Sequence, residues 1–165
     1  MALTRDGFGI YASDSVEDTE RFGEIVSSVL QDGDVLVLTG GLGAGKTHFT
    51  KGVSHGLGDD RPVTSPTFAL MAVHDHGRIP LFHFDLYRLE NAYELEDTGI
   101  YDVLGYEGVC LLEWGERFQD ELVDEFLTVA IERTGESGRT LSLVPRGERA
   151  AQLARCIDDA VSDAI

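Results

Sequence analysis

The clearest chemical signature in the chain is a glycine-rich segment that ends in a lysine and a threonine. It follows the phosphate-loop pattern G-x-x-x-x-G-K-[ST] with Gly40, Gly41, Leu42, Gly43, Ala44, Gly45, Lys46 and Thr47. Such glycines let backbone N–H groups surround a β-phosphate at the N-terminus of the following helix. The lysine bridges the β- and γ-phosphates, and the last hydroxyl enters the Mg²⁺ shell. The pattern therefore predicts a site for ATP or ADP with Mg²⁺.

The surroundings of this segment favour the same interpretation. Residues 35–38 form a continuous apolar run typical of a strand buried on both faces, and a helix is expected from the loop to about Leu57. The alternative is a chance match in a chain with 19 glycines. A chain of this composition should contain only about 0.003 such matches.

Two carboxylates are placed to serve the metal ion or the attacking water that a nucleoside triphosphatase requires. Glu113 follows a second apolar run and should emerge beside the phosphate loop, as a Walker B acid does. Asp85 lies in an apolar strand-like segment, where alternation places it on the same face as His83. Ionisable groups in such a strand are costly unless they are paired or bind a metal. An ordinary ion pair, such as Asp85 with Arg88, is the alternative.

A loop after the phosphate-loop helix carries three hydroxyl side chains, Thr64, Ser65 and Thr67. Many phosphate-loop enzymes have a γ-phosphate sensor at this place in the chain. A plain turn around Pro66 is the alternative interpretation.

Histidines form a weaker pattern. His74, His76 and His83 with Asp85 imitate a metal-ligand set, and zinc requires at least three of them to converge. Because His76 falls at an expected hairpin tip while His83 lies within a strand, the spacing disfavours zinc.

The hydrophobic periodicity predicts strands that alternate with helices, with no repeat and no linker. This favours an α/β fold in which residues 1–165 form a single P-loop ATPase domain, with three layers and a mixed β-sheet flanked by helices. The expected strands lie at residues 8–12, 35–38 and 109–112. Hairpin turns are expected at residues 75–78 and 134–138, and helices after a Ser13 or Ser15 cap, within residues 91–104 with a break near Gly99, and at residues 148–161.

The balance of charges argues against direct binding of DNA or RNA. The 165 residues include 30 acidic and 13 basic side chains, which gives a formal net charge of −17. Only two of the basic residues are lysines, Lys46 and Lys51. Because non-specific affinity for nucleic acid comes from cationic side chains that neutralise phosphates, such a chain should be repelled by it.

The remaining composition indicates an ordinary folded protein. Hydrophobic residues make up 42% of the chain, which is well inside the globular range. Cys110 and Cys156 are too few for a disulfide framework and are expected to be buried, reduced thiols. No stretch approaches the ~18 apolar residues that span a bilayer, and no leader is evident, so a cytoplasmic protein with no membrane partner is expected.

Together, the motifs resemble the TsaE (formerly YjeE) family of small bacterial ATPases. The resemblance covers nearly the whole chain and rests on four segments in a fixed order. They are the phosphate loop, Thr64-Ser65-Pro66-Thr67-Phe68, His83-Phe84-Asp85-Leu86-Tyr87-Arg88-Leu89 and Glu113-Trp114. Each motif is short, but four in this order make the resemblance specific.

This resemblance implies a role in forming the threonylcarbamoyl modification of the adenosine beside the anticodon of tRNA. Members of the family are not the transferase itself. They bind the complex of TsaD with TsaB, and their ATP hydrolysis supports repeated turnover of that complex. The implied activity is a slow, partner-dependent, Mg²⁺-dependent ATPase that meets tRNA only indirectly.

The resemblance also assigns residues by position. Lys46, Asp85 and Glu113 are catalytic, Thr47, Glu113 and Asp85 serve the metal, Thr64 to Thr67 form a nucleotide-responsive loop, and Ser15 and Thr19 lie near the base. Two residues depart from the usual family sequence, since Gly41 replaces an aspartate and His48 replaces a second threonine. His48 still belongs to the predicted nucleotide site, with a weaker contact to the α-phosphate.

Two alternatives have different chemistry. A small P-loop kinase would transfer phosphate to a metabolite, but such kinases need a lid with arginines, and residues 115–125 contain only Arg117. A nucleotide-dependent binding switch would use residues 64–67 as its moving segment.

Overall fold

A computed structural model describes residues 2–41, 43–63 and 71–165, without the side chain of Glu116. Eight strands in these residues form one sheet in the order β1-β2-β8-β7-β3-β6-β5-β4. The strands are β1 Thr4–Gly7, β2 Ile10–Ser13, β3 Val35–Thr39, β4 Met71–His74, β5 Leu81–Asp85, β6 Val109–Glu113, β7 Phe126–Arg133 and β8 Arg139–Arg146. The helices are α1 Val16–Ser27, α2 Lys46–Gly56, α3 Ile100–Val103 and α4 Glu148–Ala164, with 3₁₀ helices at Ala92–Thr98 and Gly115–Glu121.

The parallel centre of the sheet determines where the predicted site lies. β3 pairs in parallel with both β6 and β7, and β6 pairs in parallel with β5. In this register Glu113 lies beside Leu38 on one side and Asp85 on the other. Because parallel strands end at the same edge of a sheet, the loop after β3 and both carboxylates meet at one carboxyl edge.

An antiparallel half brings further elements to the same edge. β8 pairs antiparallel with β7 and with β2, so the turn of the β7–β8 hairpin and the end of β2 lie beside the end of β3. The α1 helix begins directly after β2, and the side chain of Ser15 accepts a hydrogen bond from the N–H of Asp18, as the predicted cap requires. The strand predicted at residues 8–12 is wrong at its start. Phe8 and Gly9 form a turn, with φ of 70° at Gly9, between β1 and β2.

Helices cover both faces of the sheet, which confirms the predicted layered α/β fold. Alternating residues of β3 face opposite sides, with Leu36 in one core and Val37 in the other. The first core packs against α1, α2 and α4, and the second against α3 and the two 3₁₀ helices. The break predicted near Gly99 is present, since this residue has φ of 81° between the first 3₁₀ helix and α3.

Close contact between α1 and α2 fixes the helix that follows the predicted phosphate loop. A Cβ atom on Gly23 or on Gly52 would overlap the backbone of the facing helix, so only glycine permits this approach. Two histidines of α2 reach carboxylates of α1, with 3.1 Å from His48 Nδ1 to Glu20 Oε1 and 3.1 Å from His55 Nδ1 to Glu24 Oε1. The orientation of α2 therefore depends on α1.

Two further sequence expectations concern cysteines and membrane spans. Cys110 and Cys156 are free, the first buried and the second partly buried. Burial raises the pKa of the Cys110 thiol to about 12, so it stays protonated at neutral pH.

Across the described ranges, no helix is long and apolar enough to cross a membrane.

A buried carboxylate on α4 holds the first hairpin in place. Asp158 accepts hydrogen bonds from the Arg5 guanidinium at 3.0 Å, the Tyr11 hydroxyl at 2.8 Å and the Gly9 N–H at 3.2 Å. Burial by itself would raise the pKa of Asp158, but these three donors outweigh it and keep the pKa below its ordinary value. The contact joins β1 and β2 to the helix that closes the chain.

We expect Asp158→Asn to lower the free energy of unfolding by about 1–3 kcal/mol at neutral pH, because it weakens a buried network of charged hydrogen bonds. Since the folded pKa is depressed, this stabilisation is complete above the unfolded value near 3.9 and is lost as the pH falls through the folded pKa. Urea denaturation of both proteins from pH 7 to pH 3 measures the difference. Asp159→Asn, at the exposed neighbouring position, is the control. If the difference in unfolding free energy between Asp158→Asn and the unchanged protein stays constant from pH 7 to pH 3, the depressed pKa of Asp158 is contradicted.

Candidate functional site

The predicted phosphate loop, residues 40–47, follows β3 and ends in the first turn of α2, and three of its glycines adopt conformations that other residues avoid. The φ angles are 144° at Gly40, 75° at Gly43 and 113° at Gly45. A Cβ atom on Gly40 would lie 2.5 Å from the carbonyl oxygen of Ile131 on β7. Leu42 lies outside the described residues. Gly41 is different, because a Cβ atom there would meet nothing within 4 Å.

The lysine of this loop is buried and its ammonium group is surrounded by acceptors. Lys46 is 6% exposed and its Nζ donates to the Gly40 carbonyl oxygen at 3.0 Å. The same Nζ lies 4.0 Å from Glu113 Oε1 and 4.1 Å from the ring centroid of Trp114. A buried ammonium group requires such compensation, here from a carboxylate, a carbonyl and the face of an aromatic ring.

Glu113 is buried at the end of β6 and is held from two sides. Only 5% of the residue is exposed. Its Oε2 atom lies 2.6 Å from His83 Nε2 on β5, while its Oε1 atom faces Lys46. The sequence expectation that Glu113 emerges beside the loop is thus matched by its location.

Asp85 ends β5 directly opposite Glu113 in the strand register. One of its oxygens accepts the backbone N–H of Tyr87 at 3.0 Å, which orients the carboxylate in the turn after the strand. Asp85 is partly exposed, in contrast to Glu113. The two carboxylates therefore occupy matched backbone positions with different solvent access.

The predicted catalytic and metal-binding residues converge on one cavity of about 510 Å³ at the carboxyl edge. Its lining includes Gly45, Lys46, Thr47, Asp85, Glu113 and Trp114. A lysine, a threonine hydroxyl and two carboxylates from three separate elements thus surround the same space. This set can bind an anion and a divalent cation side by side.

Trp114 is the one non-glycine residue with a clearly positive φ in the part of the chain that is described, at 66°. A non-glycine residue in this conformation costs free energy of about 1–3 kcal/mol and is found where the surrounding structure enforces it. The strained turn after β6 places the indole ring over Lys46 Nζ. The ring also packs against Tyr87, with 5.0 Å between ring centroids.

Ser15, Thr19 and His48 line a smaller adjoining cavity of about 90 Å³ with Gly45 and residues of the β7–β8 hairpin. Their polar groups already have intramolecular partners. Ser15 caps α1, the Thr19 hydroxyl lies 2.7 Å from the Ser13 hydroxyl, and His48 contacts Glu20. The structure places these three residues beside the predicted phosphate loop, and the position of Ser15 and Thr19 near a nucleotide base stays a prediction.

The hydroxyl loop and the histidine pattern have different outcomes. Thr64, Ser65 and Thr67 lie outside the described residues. Within the described ranges, no group of three histidine, cysteine or acidic side chains that could hold a metal ion is found. His74 and His83 are both buried, with 6.5 Å between their rings, and burial together with nearby His83 lowers the pKa of His74.

Sequence reasoning missed Arg139, which ties the β7–β8 hairpin to the predicted phosphate loop. Its Nε donates to the Ala44 carbonyl oxygen at 2.6 Å and one terminal nitrogen to that of Gly43 at 3.3 Å. The other terminal nitrogen donates to the Gly138 carbonyl oxygen at 2.7 Å. The hairpin was predicted, but nothing local in the sequence indicates that β7 pairs with β3. The contact of Arg139 with the loop therefore could not be predicted from the sequence.

Comparisons with known proteins identify one family. A model of the family described as threonylcarbamoyl adenosine biosynthesis protein TsaE matches residues 13–141. The chain is 42% identical to the tRNA threonylcarbamoyladenosine biosynthesis protein TsaE of Treponema pallidum over 131 residues, which are 79% of this chain and 96% of that protein. It is 41% identical to the Bacillus subtilis protein of the same name over 133 residues, 81% of this chain and 83% of that protein.

A solved structure supports the fold as well. The crystal structure of Bacillus subtilis YdiB matches with a TM-score of 0.80 and 31% sequence identity. The match covers 94% of this chain and 95% of that one. The region matched by the family model includes the predicted phosphate loop, both carboxylates and Arg139.

Substitution of two neighbouring glycines tests the loop geometry without any ligand. Gly40→Ala should lower the free energy of unfolding by about 1–3 kcal/mol, since it adds a Cβ at a positive φ against the Ile131 carbonyl. Gly41→Ala, at an open position, should change it by less than about 0.5 kcal/mol. Urea denaturation measures both, and equal effects at the two positions would contradict the close approach of Gly40 to the Ile131 carbonyl.

Proposed function

The chain belongs to the TsaE family of threonylcarbamoyladenosine biosynthesis proteins, and we propose that it serves this tRNA modification by binding and hydrolysing Mg²⁺-ATP. The observation that carries the proposal is the cavity shared by Lys46, Thr47, Asp85 and Glu113. Phosphoryl transfer depends mainly on positioning and on electrostatic stabilisation of phosphate oxygens, and these four side chains supply both.

A nucleotide would enter along the loop with its phosphates at the N-terminus of α2. Backbone N–H groups there point towards the ligand, and the helix adds partial positive charge. Lys46 would exchange the Gly40 carbonyl for a phosphate oxygen, which is the stronger acceptor because it is charged. Arg139 supports this step indirectly, since it holds the carbonyl groups of Gly43 and Ala44 on the far side of the same peptide units.

The residues present fit Mg²⁺, which prefers oxygen ligands. Thr47 offers a hydroxyl, and Asp85 and Glu113 offer carboxylates, all at one cavity. When bound, Mg²⁺ neutralises charge on the β- and γ-phosphate oxygens. The carboxylates of this chain would hold the ion and orient the water between them.

In the hydrolytic step, a water oxygen forms a bond to the γ-phosphorus while the bond from that phosphorus to the β–γ bridging oxygen breaks. The products are ADP and inorganic phosphate, and the proton of the water leaves to a carboxylate or to phosphate. Partly exposed Asp85 and buried Glu113 approach this centre from adjacent strands. Lys46 stabilises the charge that develops on the bridging oxygen.

The partners that we propose are TsaD and TsaB, with tRNA held by their complex. A net charge of −17 opposes direct contact with a phosphate backbone, which supports contact with tRNA through partner proteins. The kinase alternative is weakened by Arg117. Its guanidinium donates to the backbone carbonyls of Tyr87 and Leu89, so it is committed to the segment after β5.

The two lysines of the chain provide a matched test of nucleotide binding. Lys46→Ala should weaken ADP binding about 10- to 100-fold, which corresponds to the loss of one charge-assisted hydrogen bond. Lys51→Ala should leave it within about threefold, because Lys51 lines a different cavity beside Asp59. Isothermal titration calorimetry with Mg²⁺-ADP measures both. If neither variant differs from the unchanged protein, the site is misplaced.

A reconstituted reaction with TsaD, TsaB, tRNA and a threonylcarbamoyl donor tests the complete proposal. The protein should release phosphate faster in the presence of these partners and should raise the number of tRNA molecules modified per TsaD. Glu113→Gln should bind ADP within about threefold but should lose about 100-fold or more in phosphate release.

Other outcomes would identify the alternatives. Phosphate release that accelerates with a small metabolite, and not with TsaD and TsaB, would indicate a kinase. Full tRNA modification with Glu113→Gln, but not with Lys46→Ala, would indicate a switch in which the bound nucleotide matters and hydrolysis does not.

A further inference from the structure

A buried histidine contacts the carboxylate that the proposed hydrolysis requires. His83 is 0% exposed and lies on β5. Its Nε2 atom is 2.6 Å from Glu113 Oε2 on β6, across two adjacent parallel strands. No hydrogen-bond partner for its Nδ1 atom is found in the described part of the chain.

These contacts define the tautomer of the neutral His83 ring and the direction of its hydrogen bond to Glu113. Glu113 is the only described acceptor within reach of either ring nitrogen, so a neutral ring carries its proton on Nε2 and donates it to the carboxylate. The remaining oxygen, Oε1, then faces Lys46 Nζ at 4.0 Å and lines the cavity. A glutamate side chain has three rotatable bonds, and this hydrogen bond selects one arrangement.

We propose that His83 is the positioning residue of Glu113, fixing one carboxylate oxygen so that the other faces the reacting phosphate and water. The inference rests on the proposed ATPase function and adds a residue to it. The surrounding strand argues for this role over ordinary core packing. β5 contributes the fully buried Leu81 and Phe84 to the two cores, whereas His83 brings a polar ring to an apolar interior and has one described polar partner.

The length of the side chain allows a sharp test. In His83→Gln the carboxamide reaches about as far as Nε2 and can still donate to Glu113. In His83→Asn the carboxamide is one methylene shorter and ends near the position of Nδ1. His74→Gln is the matched control, since His74 is also buried, lies on the neighbouring strand β4 and has its ring centroid 6.5 Å from that of His83.

We expect His83→Asn to lower the kcat for ATP hydrolysis about 30-fold or more, with the Kd for Mg²⁺-ADP within about threefold. His83→Gln should recover at least about tenfold of that loss, and His74→Gln should keep kcat within about threefold. Circular dichroism at the assay temperature confirms that each variant is folded. A His83→Asn variant that is folded and fully active, or equal losses in the Asn and Gln variants, would overturn the proposal.

Combination with Glu113→Gln separates positioning from a general effect on the fold. If His83 acts through Glu113, His83→Asn should change the residual kcat by less than about twofold in the Glu113→Gln background. A loss of the same size in both backgrounds would overturn the proposal. If the unchanged protein shows no ATP hydrolysis even with its partners, the proposed function fails first, and this outcome is distinct from both.

Proton NMR gives a readout that needs neither nucleotide nor metal. The short bond to a carboxylate should give the Nε2–H of His83 a downfield resonance that is protected from exchange with water. The resonance should disappear in His83→Asn and in Glu113→Ala and should persist in His74→Gln. If it persists in Glu113→Ala, the two side chains are not hydrogen-bonded and the proposal is wrong.

Discussion

The whole site depends on burying a positive and a negative side chain together. Lys46 and Glu113 are each almost inaccessible to solvent, and either charge alone would cost several kcal/mol in this interior. They come from different elements, one at the start of α2 and the other at the end of β6. The parallel pairing of β3 with β6 brings these points together, so the register of two apolar strands decides whether the charges can be compensated.

The backbone around this pair is shaped to maintain it. Gly40 runs so close to Ile131 that no side chain fits, and Trp114 accepts a left-handed conformation that places its ring over the ammonium group. Arg139 holds the carbonyl groups of the loop from outside. Two cationic side chains, Lys46 and Arg139, therefore line the cavity at the carboxyl edge of an otherwise acidic molecule. Because the Debye length is about 8 Å at physiological ionic strength, distant acidic residues only slightly weaken the attraction of these cations for a phosphate group.

The sequence predicts local features of the fold well. The buried strands at residues 35–38 and 109–112, both later hairpins and the break at Gly99 follow from spacing and residue type, and the structure contains each of them. Asp85 and Glu113 could be proposed because each ends or follows an apolar strand. The strand at residues 4–7 was missed because polar Arg5 and Asp6 give it no hydrophobic alternation, and it depends on pairing with β2 and on Asp158 of α4.

What the sequence could not give is the contact between distant segments. The hydrogen bond from Arg139 to Ala44 spans 95 positions and requires β7 to lie next to β3, a pairing that no local pattern encodes. The same holds for His83, whose residue type and strand were noted but whose partner on β6 was not. In both cases the sequence supplied an ionisable group, and only the order of the strands in the sheet identified its partner.

This dependence has an energetic consequence for the site as a unit. His83, Glu113, Lys46 and Trp114 form a continuous series of contacts, each of which compensates its neighbour. Removing one member leaves the next with an unmatched charge or polar atom, so the loss of folding free energy exceeds the energy of the single contact. The stability effects of substitutions within the series should therefore not add. Asp158 contacts β1 and β2, which are separated from β6 by three other strands, so the effect of its substitution should be independent of theirs. The first hairpin is held by a carboxylate network of its own, so its stability can be changed without a change in the geometry of the site.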